Sequence, residues 1–470
     1  MANYKIPIDD STLDILCEQL AKKNKVEQRD YWKYGVKKGL RNADGTGVMA
    51  GLTKICSVEG YYINDGEKVP KEGVLKYRGY NIRDIITACN NENRFGYEEI
   101  VWLLLFGSLP TEKQLSDFKA LLGSCRELPQ EFIEDILMKN PSSDIMNNMA
   151  RSILSLYSRD DNPDSTDIKN VLCQSIQLIA RMPAIMCYSY QVKRRAYYGK
   201  SMYLHPIKPE LSTAETILRS IRADKQFSED EALLLDTCLM LHAEHGGGNN
   251  STFTTRVLTS SGTDTYSAIA GAMGSLKGPK HGGANLKVRE MIHFMDESVQ
   301  DVDDEGQVAD FLTKCIRKEA GDRSGLVYGM GHAVYTVSDP RAVTLKERAK
   351  EYAMKQGFEK EFRQLELVET LTPEIFRKEK GITKAMCANV DLYSGLIYDM
   401  LGISEDLFTP LFATARIAGW SAHRIEELMT GGKIIRPAYK NVASTRTFKP
   451  MSERTEDFTE DLYVPSEERI

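Results

Sequence analysis

Four of the seven histidines lie in three glycine-rich places: His242-Ala-Glu-His245-Gly-Gly-Gly, Gly278-Pro-Lys-His281-Gly-Gly and Gly329-Met-Gly-His332. Glycine beside an imidazole lets backbone and ligand approach closely. One such histidine usually serves the fold, whereas three in one stretch of chain point to a site. His242 and His245 are spaced i,i+3 around Glu244, but H-x-x-H is not H-E-x-x-H and no cysteine joins the three clusters, so a metal is set aside. Gly199-Lys200-Ser201 resembles the end of a phosphate loop, yet Arg194 stands where its first glycine belongs. Gly329-Met-Gly331 lacks a third glycine and a preceding strand-helix-strand pattern. Asn249 and Asn250 each open an N-x-S/T triplet, which matters only in a secreted chain.

What remains is imidazole chemistry with carboxylates and arginines. His281 precedes a helix expected to start around 283–286, whose positive end disfavours imidazolium, so a neutral His281 can donate a hydrogen bond to a carbonyl. His332 sits in a similar loop ahead of Asp339-Pro340-Arg341. Asp391, in Asn-Val-Asp-Leu-Tyr-Ser-Gly, falls at another helix boundary and reads as an N-cap or a general base. Arg416 interrupts an apolar helix and Arg436 lies in Ile-Ile-Arg-Pro; each either pairs with an acid of the fold or clamps a carboxylate substrate. A carboxylate base, neutral imidazoles and arginines suit proton abstraction α to a carbonyl, then carbon–carbon bond formation.

Helical periodicity supplies the elements that must position these groups. Leu234, Cys238, Leu241 and His245 share one helical face, which would point His245 inward at a helix end. Tyr266, Ile269, Met273 and Leu276 share another, in a helix expected to stop at Gly278-Pro279. Asp339-Pro340 reads as N-cap and first turn of a helix ending near Gly357. Further helices are expected over 97–106, 111–123, 165–191, 210–222, 284–299, 307–319, 359–380 and 408–430. Strand signal is sparse: 54–82 alternates around a turn at Asn64-Asp65-Gly66, and Lys433 to Arg436 reads as a short strand. The expected fold is all-α with a minor β hairpin near the N-terminus. Stretches 158–166, 300–306 and 441–470 read as loops, a domain edge and an arm-like tail.

Composition narrows the function classes. Lys+Arg 61 against Asp+Glu 67 gives a net charge of −6, which leaves no basic surplus for a nucleic-acid partner. The longest strongly apolar run, Ile100 to Phe106, is far too short for a membrane span. Nine cysteines without a C-x-x-C pair suit reduced thiols, and the N-terminus lacks a signal-peptide pattern, so a cytoplasmic location is expected.

Taken together, LHAEHGGGNNST (241–252), SLKGPKHGGAN (275–285), GMGHAVYTVSDPRA (329–342), NVDLYSG (389–395), ARIAGW (415–420) and KIIRP (433–437) resemble the citrate synthase family. GVLKYRGYNIRDI and YEEIVWLLLFGSLPT resemble its N-terminal blocks, and the likeness spans roughly 60–440. It implies an acyltransferase that condenses acetyl-CoA with oxaloacetate through an enol(ate) and citryl-CoA. Asp391 would remove the methyl proton, His281 would stabilise the enolate and His332 would polarise the ketone. His245, Asn249, Arg341 and Arg416 would hold oxaloacetate. Arg436 would come from the neighbouring subunit of a homodimer. The resemblance also implies a large helical domain (1–282 and 403–470) and a small one (283–402) that closes over substrate. No permanently bound cofactor is implied, and acetyl-CoA is a co-substrate. Many members carry Lys or Arg four residues after the histidine equivalent to His332, where this chain has Thr336. Lys277, Lys280, Gly329 and Gly331 are then the candidates for CoA contacts. 2-Methylcitrate synthase, using propionyl-CoA, would keep the same catalytic residues. A dicarboxylate or CoA sensor would need no such complete set. His205, His242, His293 and His423 are expected to be structural.

Overall fold

The computed structural model describes residues 9–23, 26–42, 44–381, 385–443 and 448–454. They separate into two compact units, 1–49 with 436–470, and 50–435. The first unit carries α1 (Asp10–Lys23) and α2 (Gln28–Lys33), with Lys440 Nζ over the Tyr34 ring at 5.3 Å. Arg436 is exposed in a stretch without regular structure. The expectation of an arm-like tail over 441–470 falls partly on 444–447 and 455–470, which lie outside the described residues.

The larger unit opens with an antiparallel sheet of order β1 (Cys56–Asn64), β2 (Glu67–Tyr77), β3 (Tyr80–Asn81). Asp65 and Gly66, at φ of 49° and 83°, form the two-residue turn that the sequence announced. A pair of positive-φ residues twists the chain in the sense the strands need. The ladder then slips: Glu59 pairs with Val74 but Tyr61 with Pro70, so a bulge lies opposite Gly60.

Helices follow in chain order: α3 (Ile82–Asn91), α4 (Tyr97–Phe106), α5 (Glu112–Ser124), α6 (Ile145–Tyr157), α7 (Ile168–Tyr198), α8 (Thr213–Ile221), α9 (Glu229–His242), α10 (Asn250–Ser260), α11 (Thr265–Lys277), α12 (Ala284–Ser298), α13 (Glu305–Ile316), α14 (Pro340–Gln356), α15 (Glu359–Lys380), α16 (Val390–Met400) and α17 (Phe408–Thr430). The core is built around α17, buried without interruption from Phe408 to Ile425 and packed against α4, α7, α9, α10 and α11. A helix buried on every face has no side to offer water. α7 is long and apolar enough to cross a membrane, but 72% of its apolar window is buried inside the protein, so it is a core helix.

Helix ends follow local chemistry. Asp339 caps α14 through the Arg341 N–H, Pro340 occupies the first turn, and Gly357 ends the helix at φ 78°. Three expectations need correction. The stretch from Lys433 to Arg436 forms no strand. α9 stops at His242, so His245 lies beyond the helix rather than on its face. Asp391 is not a cap: Asn389 caps α16, its side chain accepting the Asp391 N–H at 3.0 Å.

Candidate active site

Asn389 does more than cap a helix. Its N–H donates to the Gly329 carbonyl at 2.9 Å, its amide donates to the Gly331 carbonyl at 2.9 Å, and the Gly331 N–H donates to the Cys387 carbonyl at 2.8 Å. This short ladder ties the His332 loop to the first turn of α16, which carries Asp391. Gly329 and Gly331 sit at φ of 81° and 88°, and a Cβ on Gly329 would meet the Leu392 backbone at 3.0 Å. Glycine is therefore required there to bring His332 and Asp391 together.

Each imidazole is fixed in one tautomer by what its acceptor nitrogen receives. His332 Nδ1 accepts the N–H groups of Val334 and Tyr335 at 3.0 and 3.1 Å, so Nε2 carries the proton. His281 Nε2 lies 3.0 Å from Ser251 Oγ and accepts the Ser251 N–H at 3.4 Å, so Nδ1 carries the proton. Ser251 is in the first turn of α10, and Trp420 Nε1 donates to its hydroxyl at 3.2 Å. Burial, with the charge of Arg416 adding, pushes the His281 pKa down to about 4, so the ring is neutral near pH 7. Sequence reasoning credited α12 with that neutrality; the polar partners come instead from α10, a helix it overlooked behind the N-x-S/T triplets.

His245 stands edge-on to His332, ring centroids 5.1 Å apart, and Tyr335 stacks on His332 at 4.7 Å. Burial and then the Arg341 charge hold His245 well below the usual imidazole pKa, and its Nε2 is a buried atom without a hydrogen-bond partner. Burial raises the half-buried Asp391 carboxyl to about 6, against the opposing pull of Arg341. Asp391 is thus a stronger base than an ordinary carboxylate and still mostly ionised at neutral pH.

Two buried arginines on α17 separate structure from function. Arg424 is spent on the fold, donating to Thr265 Oγ1, Thr259 Oγ1 and the Thr263 carbonyl at 3.1, 3.2 and 2.8 Å. Arg416, 1% exposed, gives its Nε–H to the His242 carbonyl at 2.6 Å, while its Nη2 has no hydrogen-bond partner. Among the described residues no carboxylate lies within ion-pair distance of it. The charge of Arg416 acts on His242, His245, His281 and Asp391, so all four lie within electrostatic reach of one buried cation. A buried guanidinium with a spare donor fits an anionic ligand. Arg341 is forked onto Asp339 at 3.0 and 2.7 Å, and its Nη2 lies 3.5 Å from His332 Nε2. With five N–H donors, a guanidinium holding one carboxylate retains others for a second.

The remaining candidates are placed differently. The Asn249 side chain is engaged in its own turn: Oδ1 caps α10 through the Thr252 N–H at 3.0 Å, and Nδ2 donates to Thr252 Oγ1 at 2.7 Å. Lys280 is exposed, as is Lys277, which pairs with Asp144 at 3.2 Å. Thr336 is buried and points no charge outward. His242, weighed above with His245 as a metal ligand, and Glu244 between them face different partners. His242 Nε2 meets Tyr398 Oη at 2.8 Å, and Glu244 Oε1 takes the Gly246 N–H at 2.6 Å and His423 Nε2 at 3.1 Å. His205 Nε2 bonds the Arg222 carbonyl at 2.8 Å, and His293 lies exposed 3.5 Å from Glu405. Ser251, Trp420 and Asn389 are the residues of the candidate site that sequence reasoning missed. Only Asn389 left a signal, as a cap residue two positions before the acid.

Comparison with known proteins identifies the family. Residues 42–438 match the family model described as "Citrate synthase, C-terminal domain". A citrate synthase of Synechocystis is 32% identical over 415 residues, spanning 87% of this chain and 92% of that protein. 2-Methylcitrate synthase 1 of Corynebacterium glutamicum is 31% identical over 428 residues, spanning 89% and 99%. The structure is also similar to that of the Thermoplasma acidophilum citrate synthase in ternary complex with carboxymethyl coenzyme A and oxaloacetate. That likeness has a TM-score of 0.72 and 27% identity, over 89% of this chain and 99% of that one.

Proposed function

The chain belongs to the citrate synthase family, an acyltransferase family, and on that premise we propose that it condenses acetyl-CoA with oxaloacetate and water to give citrate and CoA. The observation that carries this reading is the pair of oppositely fixed tautomers, His281 offering Nδ1–H and His332 offering Nε2–H, together with a buried carboxylate of raised pKa. Asp391 takes a proton from the thioester's methyl group. The electron pair moves onto the thioester oxygen, where His281 Nδ1–H stabilises it. His332 Nε2–H polarises the oxaloacetate ketone, the enol carbon attacks it, and water then cleaves citryl-CoA.

Arg341 and Arg416 hold the oxaloacetate carboxylates beside His245, whose unpartnered Nε2 fits the keto acid. Asn249 supports them by fixing the turn between His245 and Ser251. Arg436 completes the site from a second subunit of a homodimer. Lys277, Lys280 and the backbone of Gly329 and Gly331 serve the CoA end. Residues 283–402 close as a small domain on a large one made of 1–282 and 403–470, excluding water from the reactive thioester. No resident cofactor takes part, and the reaction is cytoplasmic.

Propionyl-CoA is the alternative acyl donor, favoured by the 31% identity to a 2-methylcitrate synthase over 99% of its length. Thiol release with oxaloacetate and each donor tests both readings. Acetyl-CoA is expected to give the higher kcat/KM. A clear propionyl preference reassigns the donor, and no CoA release from either donor overturns the proposal.

A further inference from the structure

The β1–β2 hairpin reaches the His332 loop from outside it, through its bulge. A Cβ on Gly60 would lie 2.7 Å from the Val334 carbonyl oxygen and 3.0 Å from Tyr335 Cα. A Cβ on Gly73 would lie 2.1 Å from the Ser338 carbonyl oxygen, 2.8 Å from Tyr335 Cδ1 and 2.9 Å from Pro340 Cδ. Neither glycine has a positive φ, so lack of space for a side chain is what requires glycine at both. Ser338 adds a polar latch: its hydroxyl donates to Glu72 and accepts the Gly73 N–H at 3.1 Å. The hairpin is itself anchored beside the other histidine loop. The buried Tyr77 hydroxyl donates to the Glu244 carbonyl at 2.8 Å, and Val58 packs on Gly246.

These contacts fall on the groups that orient His332. Val334 and Tyr335 supply the two N–H groups received by His332 Nδ1, and the Tyr335 ring stacks on the imidazole at 4.7 Å. Backbone of β2, the Tyr335 ring and the His332 ring therefore form one stack. Bulges re-aim what packs on them and recur beside active sites. We propose that the hairpin bulge is a seat that positions His332, with Gly60, Gly73, Glu72 and Ser338 as its positioning residues. The seat is defined by geometry; its effect on oxaloacetate rests on the function proposed above.

Two readouts keep those apart. The first is hydrogen–deuterium exchange of 330–340 in the full chain, which needs no turnover. Exchange there is expected to rise about tenfold in Ser338→Ala, and more in Gly73→Ala, with α7 and α17 unchanged. The second is kinetic. Ser338→Ala and Glu72→Gln are each expected to raise the oxaloacetate KM roughly threefold with the acyl-CoA KM unchanged, and the double variant to be no worse than either single one. A merely destabilised enzyme would instead lose kcat at constant KM. If Gly73→Ala does not fold, the Ser338 and Glu72 cycle decides alone. Unchanged exchange over 330–340 in Ser338→Ala overturns the seat, whether or not the wild type releases CoA. If exchange rises but the wild type is inactive, the proposed function has failed and the seat stands.

Discussion

His332 and His281 solve one problem in opposite ways. Each has one ring nitrogen filled by backbone N–H, which leaves the other nitrogen as the donor. His332 finds its donors two and three residues ahead, in its own loop. His281 finds its donor thirty residues back, in the Ser251 N–H of the first turn of α10, with Trp420 of α17 bonded to the Ser251 hydroxyl. A locally fixed ring keeps its tautomer wherever its loop goes. A remotely fixed ring keeps it only while three elements stay packed.

The largest expected effect tests what the two histidines share. Asp391→Asn should lower kcat by roughly a thousandfold in the CoA-release assay, since a positioned base contributes about 10²–10⁴. Near-normal turnover would move the base elsewhere. The same variant should be more stable at neutral pH. A carboxyl whose pKa rises on folding from 3.8 to about 6 binds more protons native than unfolded, so its presence costs stability as pH climbs through that window. Removing it returns about 1–3 kcal/mol at pH 7, measurable by urea denaturation, and nothing below pH 3. Next, His281→Gln and His332→Gln should each cost about a hundredfold, the scale of one oxyanion donor. The His332 loss should appear in kcat/KM for oxaloacetate and the His281 loss in exchange of the acyl methyl protons with solvent. If both variants alter the same step, the division of labour between them is wrong.

Ser251→Ala probes the remote arrangement. It removes the hydroxyl and keeps the N–H, so kcat should fall roughly tenfold, with the oxaloacetate KM little changed. The acid limb is subtler: kcat/KM for the acyl donor should fall tenfold per unit below about pH 6, where Asp391 takes a proton. A limb near pH 4 would mean that burial does not raise this carboxyl. Trp420→Phe is the smallest, about two- to threefold, because it loosens only the hydroxyl that backs His281.

Local chemistry was legible wherever it acts over a few residues. Asp339-Pro340 to Gly357, Gly278-Pro279 and Asn64-Asp65-Gly66 mark their boundaries because caps and turns are built from neighbouring atoms. α10 was missed because its polar face, Asn-Ser-Thr-Phe-Thr-Thr, carries little apolar period. The spacing of His245 continues the face of α9, yet the helix ends at His242, three residues before it, with Ala243 as its C-cap.

The amino-acid sequence by itself determined the reagents: three histidines in glycine loops, one acid beside a cap and arginines inside apolar runs. It could do so because these residue types are costly or unusual in such surroundings. Only the tertiary structure decided which ring nitrogen of His281 holds the proton, that Arg416 rather than Arg424 has a donor to spare, and that a bulge seats the His332 loop. Each of those depends on atoms far apart in the chain, and packing alone brings such atoms within hydrogen-bond or van der Waals reach.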